Sequence, residues 1–484
     1  MSARRDRSVR TVFDRAVLDR APLDRLVASF ADEHNCPTIS WAVTIGGQAV
    51  TGGVGVGGAG DVTEQTVYRI ASMTKSFSAA ATLMLRDDGV LRLDDPVARH
   101  APELAVLDRF DAAPITIRDL LTMTSGLPTD DPWADRHLDL TDDEFDRIIA
   151  DGPLFAHPTG NVYEYSNFGF AVLGRVVQRA TGERIQDIIT SRLLGPLGME
   201  RSEWTQPDGD DWARPMRWLD DAHAAEREPL PDGLIAPMGG IWTNVCDLVR
   251  WVTWLDDAFP ARSEPDDGPL RRAGRREMQS PQRYTGMGTL RGVRSAGSYG
   301  LGLRVLDEPT LGTVVSHSGG LPGYGSNMRW LPGRRIGAIA LANVTYAPMT
   351  ELTAHLLDAV HEQGLVPPET VAVSNEIAEL GAQLVALVNE WDDERARQVV
   401  TQSLVLDDSL DRRRTAAARV IALTGTLTIT SIEPQSAARA TIRCAGATGR
   451  TARVSMLLAP PRPARIQSYA VTVDPADPAD RADG

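Results

Sequence analysis

The segment at residues 70–89, IASMTKSFSAAATLMLRDDG, constrains the fold most, because it predicts a helix that is apolar on most of its surface. Apolar side chains recur in it at helical spacing, and Gly89 provides a C-terminal stop. A helix of this kind is stable when other elements surround it. We therefore expect a domain built around this helix, with Ser72 at or near the helix N-terminus.

Strand-like segments lie on both sides of a helix-rich middle. Residues 38–56 place β-forming residues on both sides of Gly46-Gly47, which predicts a hairpin because paired glycines supply the positive φ of a tight turn. Strand-like patterns return at residues 300–306, 312–315, 328–331 and 336–343, and helical patterns occur at residues 117–123, 142–149, 168–181, 184–194 and 244–255. This order predicts an α+β fold whose sheet unites the N- and C-terminal parts of one domain, with helices inserted between them.

Three intervening stretches, dense in Pro, Gly and charged residues, predict irregular structure. We expect loops at residues 125–141 and 196–234, and a flexible surface insertion at residues 256–297.

The sequence changes character near residue 366. A helical stripe from Ile377 to Trp391 precedes a period-two pattern after Leu423, with turn residues between the runs as in an antiparallel meander. This predicts a first domain at residues 1–365, a separate small α+β domain at residues 370–475, and a disordered Pro/Asp-rich tail at residues 476–484.

The charge balance argues against nucleic-acid binding. The 484 residues include 65 acidic and 50 basic side chains, a net charge of −15, whereas a phosphate backbone has to be met by a basic face. Lys75 is the single lysine and every other basic residue is Arg. No Lys follows a Gly, which excludes a P-loop. Lys75 is either an unimportant remnant of a coding bias toward Arg or the position where an amine that can lose its proton is needed.

Other features argue against cofactors, metals and membranes. Cys36, Cys246 and Cys444 are far apart and lack CxxC spacing, the histidines show no HExxH pair, and the glycine-rich residues 53–58 do not open a helix as a dinucleotide site requires. The first 27 residues lack the apolar core of a signal peptide, and no run of 18 apolar residues follows. We expect a cytoplasmic protein with no metal, cofactor, nucleic acid or membrane partner.

Ser72 and Lys75 form a Ser-x-x-Lys motif at the start of the buried helix. Residues three apart on a helix are neighbours, so the Lys75 amine can reach the Ser72 hydroxyl and act as its base. Burial and the helix dipole both disfavour the ammonium form. The competing interpretation is that Ser72 is an N-cap and Lys75 a first-turn charge of unfavourable sign.

Two further motifs follow in a consistent order, Tyr165-Ser166-Asn167 and His317-Ser318-Gly319-Gly320. Together with Ser-x-x-Lys and the flanking stretches LLTMTSGLP at residues 120–128 and PMGGIWTNVCDLVRW at residues 237–251, they resemble the class C β-lactamase-like serine hydrolases. This group contains penicillin-binding proteins, family VIII esterases, D-aminopeptidases and D,D-carboxypeptidases. The resemblance covers about residues 23–359 and implies an α/β sandwich with an antiparallel sheet flanked by helices, plus an all-helical subdomain.

The resemblance also implies catalytic roles. Ser72 would be the acyl-forming nucleophile and Lys75 its proton acceptor. Tyr165 would complete the base pair, which requires that the nearby Lys75 ammonium lower the pKa of its phenol. His317 would donate a hydrogen bond to the substrate or to Tyr165.

Substrate binding is implied for the remaining motif residues. Asn167 would hold Lys75 and the substrate through its amide. Ser318, Gly319 and Gly320 would line the substrate strand, and the backbone N–H groups of Ser72 and Gly320 would form the oxyanion hole.

These observations predict a metal-free serine hydrolase that acts through an acyl-enzyme on a small-molecule ester, amide or lactam. Without an export signal, an esterase or a D-aminopeptidase-like amidase is favoured over a cell-wall enzyme. No Gly-x-Ser-x-Gly elbow occurs, which argues against an α/β-hydrolase. The alternative is a catalytically idle penicillin-binding-like sensor whose C-terminal domain engages a partner. That domain could also support a homo-oligomer.

Overall fold

A computed structural model of the chain describes residues 18–55, 62–107, 113–260, 266, 268–290, 292–368 and 373–475. The chain divides into two compact units at the peptide bond between Pro367 and Pro368. The predicted tail at residues 476–484 and the end of the glycine-rich stretch at residues 53–58 lie outside the described residues.

Strands of the first unit come from both ends of its sequence. Within the described residues they are β1 (Thr38–Ile45), β2 (Gln48–Gly55), β3 (Tyr68–Arg69), β4 (Met216–Leu219), β5 (Ala222–Ala225), β6 (Trp242–Thr243), β7 (Arg283–Leu290), β8 (Val293–Tyr299), β9 (Arg304–Glu308), β10 (Gly312–Leu321), β11 (Tyr324–Leu331) and β12 (Ile336–Ala342). Eight of them form one antiparallel sheet in the order β2-β1-β12-β11-β10-β9-β8-β7, while β3 pairs with β6 and β4 with β5.

Helices of the first unit lie mostly between β3 and β7. Within the described residues they are α1 (Arg20–Glu33), α2 (Thr74–Asp87), α3 (Val97–His100), α4 (Ile117–Leu121), α5 (Asp131–Ala134), α6 (Asp142–Asp151), α7 (Phe168–Thr181), α8 (Ile185–Ile189), α9 (Val245–Asp256), α10 (Arg272–Met278) and α11 (Met349–Glu362). One-turn 3-10 helices at Ala71–Met73 and Ala236–Met238 flank the N-terminal end of α2 in space.

The sheet unites the two ends of the first unit, as predicted. The β1–β2 hairpin turns at Gly46 and Gly47, whose φ angles are +61° and +89°, values that favour glycine. On its other edge β1 pairs with β12, from Ile39 opposite Ala342 to Ile45 opposite Ile336. The predicted hairpin and the predicted joining of distant segments are both confirmed.

Both faces of the sheet are covered. Along β12, Ala338 and Ala340 pack into a core shared with α1 and α11, whereas Ile339 and Leu341 point to the opposite core, which contains α2 and α9. Alternate residues of a strand face opposite sides, so β12 separates the two cores. Every residue of α2 from Thr74 to Leu85 is buried, which confirms the predicted central helix.

Some loop predictions were wrong. Where a flexible insertion was expected at residues 256–297, the described residues form α10, β7 and most of β8, while residues 261–265, 267 and 291 lie outside the described residues. The buried positions of β8 are Ser295, Gly297 and Tyr299, so the period of two is present, but small residues hide it from a hydrophobicity pattern. Residues 125–141 and 196–234 are irregular over most of their length, as predicted, although they contain the one-turn α5 and the β4–β5 hairpin, respectively.

The second unit is an α+β structure in which helices precede a meander. Within the described residues its elements are α12 (Asn375–Asn389), α13 (Asp393–Val399), α14 (Gln402–Asp407), α15 (Leu410–Thr424), β13 (Leu427–Ser436), β14 (Arg439–Gly446), β15 (Thr451–Leu458) and β16 (Ile466–Val473). The strands pair in sequence order, as the period-two pattern predicted. The sequence pattern identified α12 but not α13, α14 or α15.

Candidate active site

Ser72 and Lys75 lie where the 3-10 turn Ala71–Met73 leads into α2. The Lys75 Nζ is 2.9 Å from the Ser72 Oγ. Ser72 is half-buried, whereas Lys75 is completely buried. The N-cap interpretation of Ser72 is wrong, because the residue preceding α2 is Met73 and no side chain caps the helix.

Glycine at position 319 allows β10 to lie directly against the turn that carries Ser72. A Cβ atom there would be 2.2 Å from the Ile70 carbonyl oxygen and 2.9 Å from the Ala71 Cβ, both closer than van der Waals contact. Any side chain at this position would push the turn off the strand. The Gly319 of the third motif therefore sets the distance between the nucleophile and the strand.

Three oxygen atoms surround the Lys75 amine. Besides Ser72, the Asn167 Oδ1 lies 2.6 Å and the Met238 carbonyl oxygen 3.0 Å from Nζ. An ammonium can donate to all three oxygens, whereas a neutral amine can donate to Asn167 and Met238 and accept the proton of Ser72. The site thus accommodates both protonation states of Lys75.

The electrostatic environment brings the pKa of the Lys75 amine close to neutral pH. Burial lowers the pKa of its amine to about 7, against the opposing influence of the Asp131, Asp135 and Asp130 carboxylates, while the Arg304 guanidinium lowers it further. An amine with this pKa is partly unprotonated at physiological pH and is suited to general-base chemistry.

Tyr165 lies beside the same pair. Its hydroxyl forms a hydrogen bond with Ser72, and the Lys75 Nζ is 4.8 Å from the centre of its ring. The predicted lowering of the pKa of Tyr165 is wrong: burial raises this pKa well above its usual value, and the interaction with the Ser72 hydroxyl and the charge of Arg304 offset it only in part. Tyr165 is therefore a neutral phenol, and Lys75 is the group of the pair that titrates near neutrality.

Asn167 is fixed at both its backbone and its side chain. Its backbone N–H donates to the Asp130 Oδ1 at 2.7 Å, and the N–H of Phe168 donates to the Asp130 Oδ2 at 2.8 Å. The Asn167 Nδ2 donates to the Asp131 Oδ1 at 2.6 Å. The structure brings Asn167 to Lys75 as predicted, but at least one amide hydrogen is used by Asp131.

His317 lies on β10 and is buried. Its Nδ1 is 2.7 Å from the Ser318 carbonyl oxygen, and its Nε2 is 3.0 Å from the Tyr299 hydroxyl. A carbonyl oxygen accepts, so Nδ1 carries the proton and Nε2 accepts from Tyr299. Burial, Lys75 and Arg304 hold the pKa of His317 well below its usual value. The neutral ring thus has no N–H left for Tyr165, and the predicted donation to that residue is not what the structure shows.

Ser318, Gly319 and Gly320 belong to β10 rather than to a turn. They pair with β11, Gly319 opposite Ser326 and Gly320 opposite Gly325. The pairing of β10 with β9 ends at Ser316. Beyond that point one edge of β10 is not paired with any strand of the described residues, and Ser318 and Gly320 are partly exposed beside the nucleophile.

Sequence reasoning missed several residues that complete the site. Tyr299 occupies the Nε2 of His317, donating to it once the Ser318 carbonyl oxygen has fixed the proton on Nδ1. Arg304 pairs through its backbone with Ser316 of β10, and its guanidinium carbon lies 5.7 Å from the centre of the Tyr165 ring. In the described part of the chain its guanidinium forms no hydrogen bond or ion pair. Asp131 contacts Asn167, and Tyr346 packs over Gly320 and donates to Asp135. No sequence pattern distinguishes Arg304 from the other arginines. Asp130 and Asp131, in contrast, follow directly after LLTMTSGLP and Thr129, and their position next to a recognised stretch was a signal in the sequence.

The described residues offer no group of three or more His, Cys, Asp or Glu side chains placed to hold a metal ion. Among the same residues, we find no helix with the length and apolar character needed to cross a membrane.

Fold and site together define a class of protein. An antiparallel sheet covered by helices on both faces, with a Ser-x-x-Lys nucleophile at the start of a buried central helix, is the architecture of the penicillin-binding-protein type of serine hydrolase. The comparison with known families agrees. The Beta-lactamase family model matches residues 23–362, and the chain belongs to this family.

Individual relatives are more distant. Protein flp of Staphylococcus aureus (strain N315) is 27% identical over 296 residues, which are 60% of this chain and 55% of flp, so the chain spans about half the length of that relative. The D-alanyl-D-alanine-carboxypeptidase/endopeptidase AmpH of Escherichia coli (strain K12) is 29% identical over 296 residues, 59% of this chain and 72% of AmpH.

One solved structure shares the fold over most of the chain. The octameric penicillin-binding protein homologue from Pyrococcus abyssi superposes with a TM-score of 0.62 at 20% identity, covering 94% of this chain and 96% of that one.

Proposed function

We propose that the chain hydrolyses small-molecule esters or amides through an acyl-enzyme on Ser72, as an esterase or a D-aminopeptidase-like amidase. The observation that carries this proposal is the 2.9 Å contact between the Ser72 hydroxyl and an amine, that of Lys75, which burial brings to a pKa of about 7. A serine hydroxyl is a weak nucleophile until an adjacent base accepts its proton.

In the acylation step, the neutral Lys75 amine accepts the proton of Ser72 while the Oγ attacks the substrate carbonyl carbon. The resulting oxyanion would be held by the backbone N–H groups of Ser72 and Gly320. As the bond to the leaving group breaks, the Tyr165 hydroxyl donates its proton to the leaving oxygen or nitrogen. Tyr165 then regains a proton from the Lys75 ammonium, so Lys75 is neutral again.

In the deacylation step, a water molecule attacks the ester carbonyl of the acyl-enzyme. Lys75 accepts the water proton and returns a proton to the Ser72 oxygen as the acid product leaves. The high pKa of Tyr165 supports a role in which this residue transfers its proton only in concert with Lys75, because a free phenolate there is unfavourable.

The test uses a panel of p-nitrophenyl esters, D- and L-aminoacyl amides and a chromogenic cephalosporin, with wild type and Ser72→Ala. We expect turnover of at least one compound, an adduct on Ser72 seen by intact-protein mass, and loss of both in the variant. Wild-type turnover or burst acylation that persists in Ser72→Ala would contradict the proposal. Absence of turnover with the whole panel would favour the idle sensor.

A second candidate function has a specific observation in its favour. Arg304 places a permanent positive charge next to Tyr165 without a carboxylate partner in the described part of the chain. A guanidinium in this position suits a substrate that carries a carboxylate near the scissile bond. A peptide with a free C-terminus meets this condition, and one relative is named a D-alanyl-D-alanine-carboxypeptidase/endopeptidase.

Two further properties stay predictions. Cytoplasmic location would be tested by fractionation of the producing cells. Homo-oligomer formation through the second unit would be tested by light scattering, and the octameric state named for the Pyrococcus abyssi homologue motivates that measurement.

A further inference from the structure

None of the acyl-transfer steps proposed above uses the contact between Asp131 and Asn167. Asp131 is the first residue of α5, a single turn that follows the LLTMTSGLP stretch. Its Oδ1 accepts from the Asn167 Nδ2 at 2.6 Å, and the Asn167 Oδ1 accepts from the Lys75 Nζ at the same distance. The three side chains form an unbroken chain that ends at Ser72.

The order of donors and acceptors in this chain matters. A side-chain amide has a donor end and an acceptor end, and rotation by a half turn exchanges them. A carboxylate is acceptor-only, so Asp131 pairs with the Nδ2 end of Asn167 and leaves Oδ1 facing Lys75. In the rotated amide, the NH₂ group would face the Lys75 amine and the oxygen would face the Asp131 carboxylate.

Two neighbouring carboxylates fix different parts of Asn167. Asp130 accepts both N–H groups at the start of α7 and therefore fixes the backbone. Asp131 contacts the side-chain amide and therefore determines its rotation. The separation of these contacts allows the two effects to be tested independently.

We propose that Asp131 is a positioning residue for the Ser72–Lys75 pair, holding the Asn167 amide in the one rotation that presents an oxygen to the lysine amine. This proposal rests on the acyl-transfer function proposed above. The Asp131 carboxylate contacts the Asn167 amide, and that amide contacts Lys75, so Asp131 acts through Asn167.

The charge of Asp131 adds a second effect in the same direction. The charged and titratable groups around Lys75 are Asp130, Asp131 and Asp135 on one side, Arg304 of β9, the neutral His317 of β10 and the neutral phenol of Tyr165, whose ring centre is 4.8 Å from Nζ. Of the three carboxylates, Asp131 has the largest influence in raising the pKa of Lys75 against burial. Removal of its charge should therefore lower this pKa, and the acid limb of kcat/KM, which follows the loss of the neutral amine, should move to lower pH.

The kinetic experiment compares Asp131→Asn, Asp131→Ala, Asn167→Asp and the exchange variant Asp131→Asn/Asn167→Asp. Asp131→Asn keeps an acceptor and loses the charge, so we expect the acid limb to shift by about one pH unit with a small change on the alkaline plateau. Asp131→Ala loses both the acceptor and the charge, and the plateau should fall by about tenfold to a hundredfold.

The exchange variant restores an amide–carboxylate pair and should recover plateau activity relative to Asn167→Asp alone. Its acid limb should move to higher pH, because a carboxylate then contacts Lys75 directly.

A measurement without turnover uses the single lysine. Protein labelled with [6-¹³C]lysine carries one labelled residue, so its NMR titration reports Lys75 alone. We expect a midpoint near 7 in wild type and a lower midpoint in Asp131→Asn. Asp142→Asn, which removes one charge from a carboxylate paired with Arg175, is the matched control and should leave both the midpoint and kcat/KM unchanged.

Two results would overturn the proposal: a plateau in Asp131→Ala within twofold of wild type, or an unchanged Lys75 midpoint in Asp131→Asn. If Asp131→Ala fails to fold, the nearly isosteric Asp131→Asn and the exchange variant decide the question. Failure of the acyl-transfer proposal is distinguishable, because it would show as activity in Ser72→Ala while the lysine titration remains interpretable.

Discussion

The two units of the chain bury different kinds of side chain. In the first unit, Lys75, Arg69, His317 and Asp135 are among the fully or almost fully buried polar groups. In the described part of the second unit, Thr424 is the buried polar residue, and the core consists of apolar side chains of α12 and the sheet. Burial of a charge is unfavourable unless a partner or a function compensates for it.

Charges in the second unit remain at the surface. Arg443 pairs with Glu433 across two strands, and Arg453 pairs with Asp474. Asp474 is partly exposed, and the other three side chains are well exposed. Pairs of this kind contribute little to stability. The contrast indicates that the residues of the second unit mainly stabilise its fold. In the first unit, the burial of Lys75 at the N-terminus of α2 is unfavourable for stability.

Buried charge alone does not identify a catalytic group. Arg329 and Glu308 form an ion pair at 2.9 Å inside the first unit, and both side chains are almost completely buried. This pair is neutralised within the sheet, whereas the Lys75 amine faces a hydroxyl that is partly exposed. What distinguishes the Lys75 region from the Arg329–Glu308 pair is therefore a titratable group that lies next to a nucleophile.

The largest expected effect comes from the charge-conserving change Lys75→Arg. A guanidinium cannot accept the Ser72 proton, so kcat should fall by about 10²- to 10⁴-fold, nearly as far as in Lys75→Ala. The measurement is steady-state turnover together with acyl-enzyme formation by mass.

The matched control is Arg86→Lys, in the last turn of the same helix. Arg86 pairs with Glu277 and Asp87, all three side chains partly buried, at the end of α2 opposite to Ser72, so this variant should keep wild-type turnover. Substantial activity in Lys75→Arg would mean that the single lysine is a remnant of coding bias.

The sequence predicted the elements whose patterns are local. The central helix, the β1–β2 hairpin and the C-terminal meander follow from spacing that an apolar core imposes on neighbouring residues. The pairing of Ser72 with Lys75 is also local, since three residues on a helix fix it.

The remaining parts of the site depend on contacts between distant segments. The Nε2 of His317 is occupied by the Tyr299 hydroxyl, and the rotation of Asn167 depends on Asp131. Neither Tyr299 nor Asp131 belongs to a motif. The direction of the pKa shift of Tyr165 was mispredicted because burial, which only the folded chain determines, outweighs the nearby positive charges.

A smaller effect is expected at Arg304. In Arg304→Gln, kcat/KM for a substrate with a carboxylate next to the scissile bond should fall by about tenfold to a hundredfold, the range for loss of a charged hydrogen bond. For a neutral ester of similar size the loss should be under about threefold. Arg201→Gln, at an exposed pair with Asp211, serves as the control. Equal losses on both substrates would argue against carboxylate recognition and in favour of a general role for Arg304 beside Tyr165.

The smallest effect on catalysis is expected from the second unit. Ile442 is fully buried on β14 and packs where α12 carries Gly381, since a Cβ at that glycine would be 2.7 Å from the Ile442 Cδ1. Ile442→Ala should therefore destabilise the second unit by about 2 to 5 kcal/mol in urea unfolding. The neighbouring Arg443→Ala on the exposed face should leave the unfolding midpoint nearly unchanged.

Below the unfolding transition, both variants should keep kcat/KM within about twofold of wild type, because the proposed chemistry uses residues of the first unit. A tenfold loss in folded Ile442→Ala would show that the second unit contributes to the site, and the contrast between the two units would then no longer separate chemistry from folding.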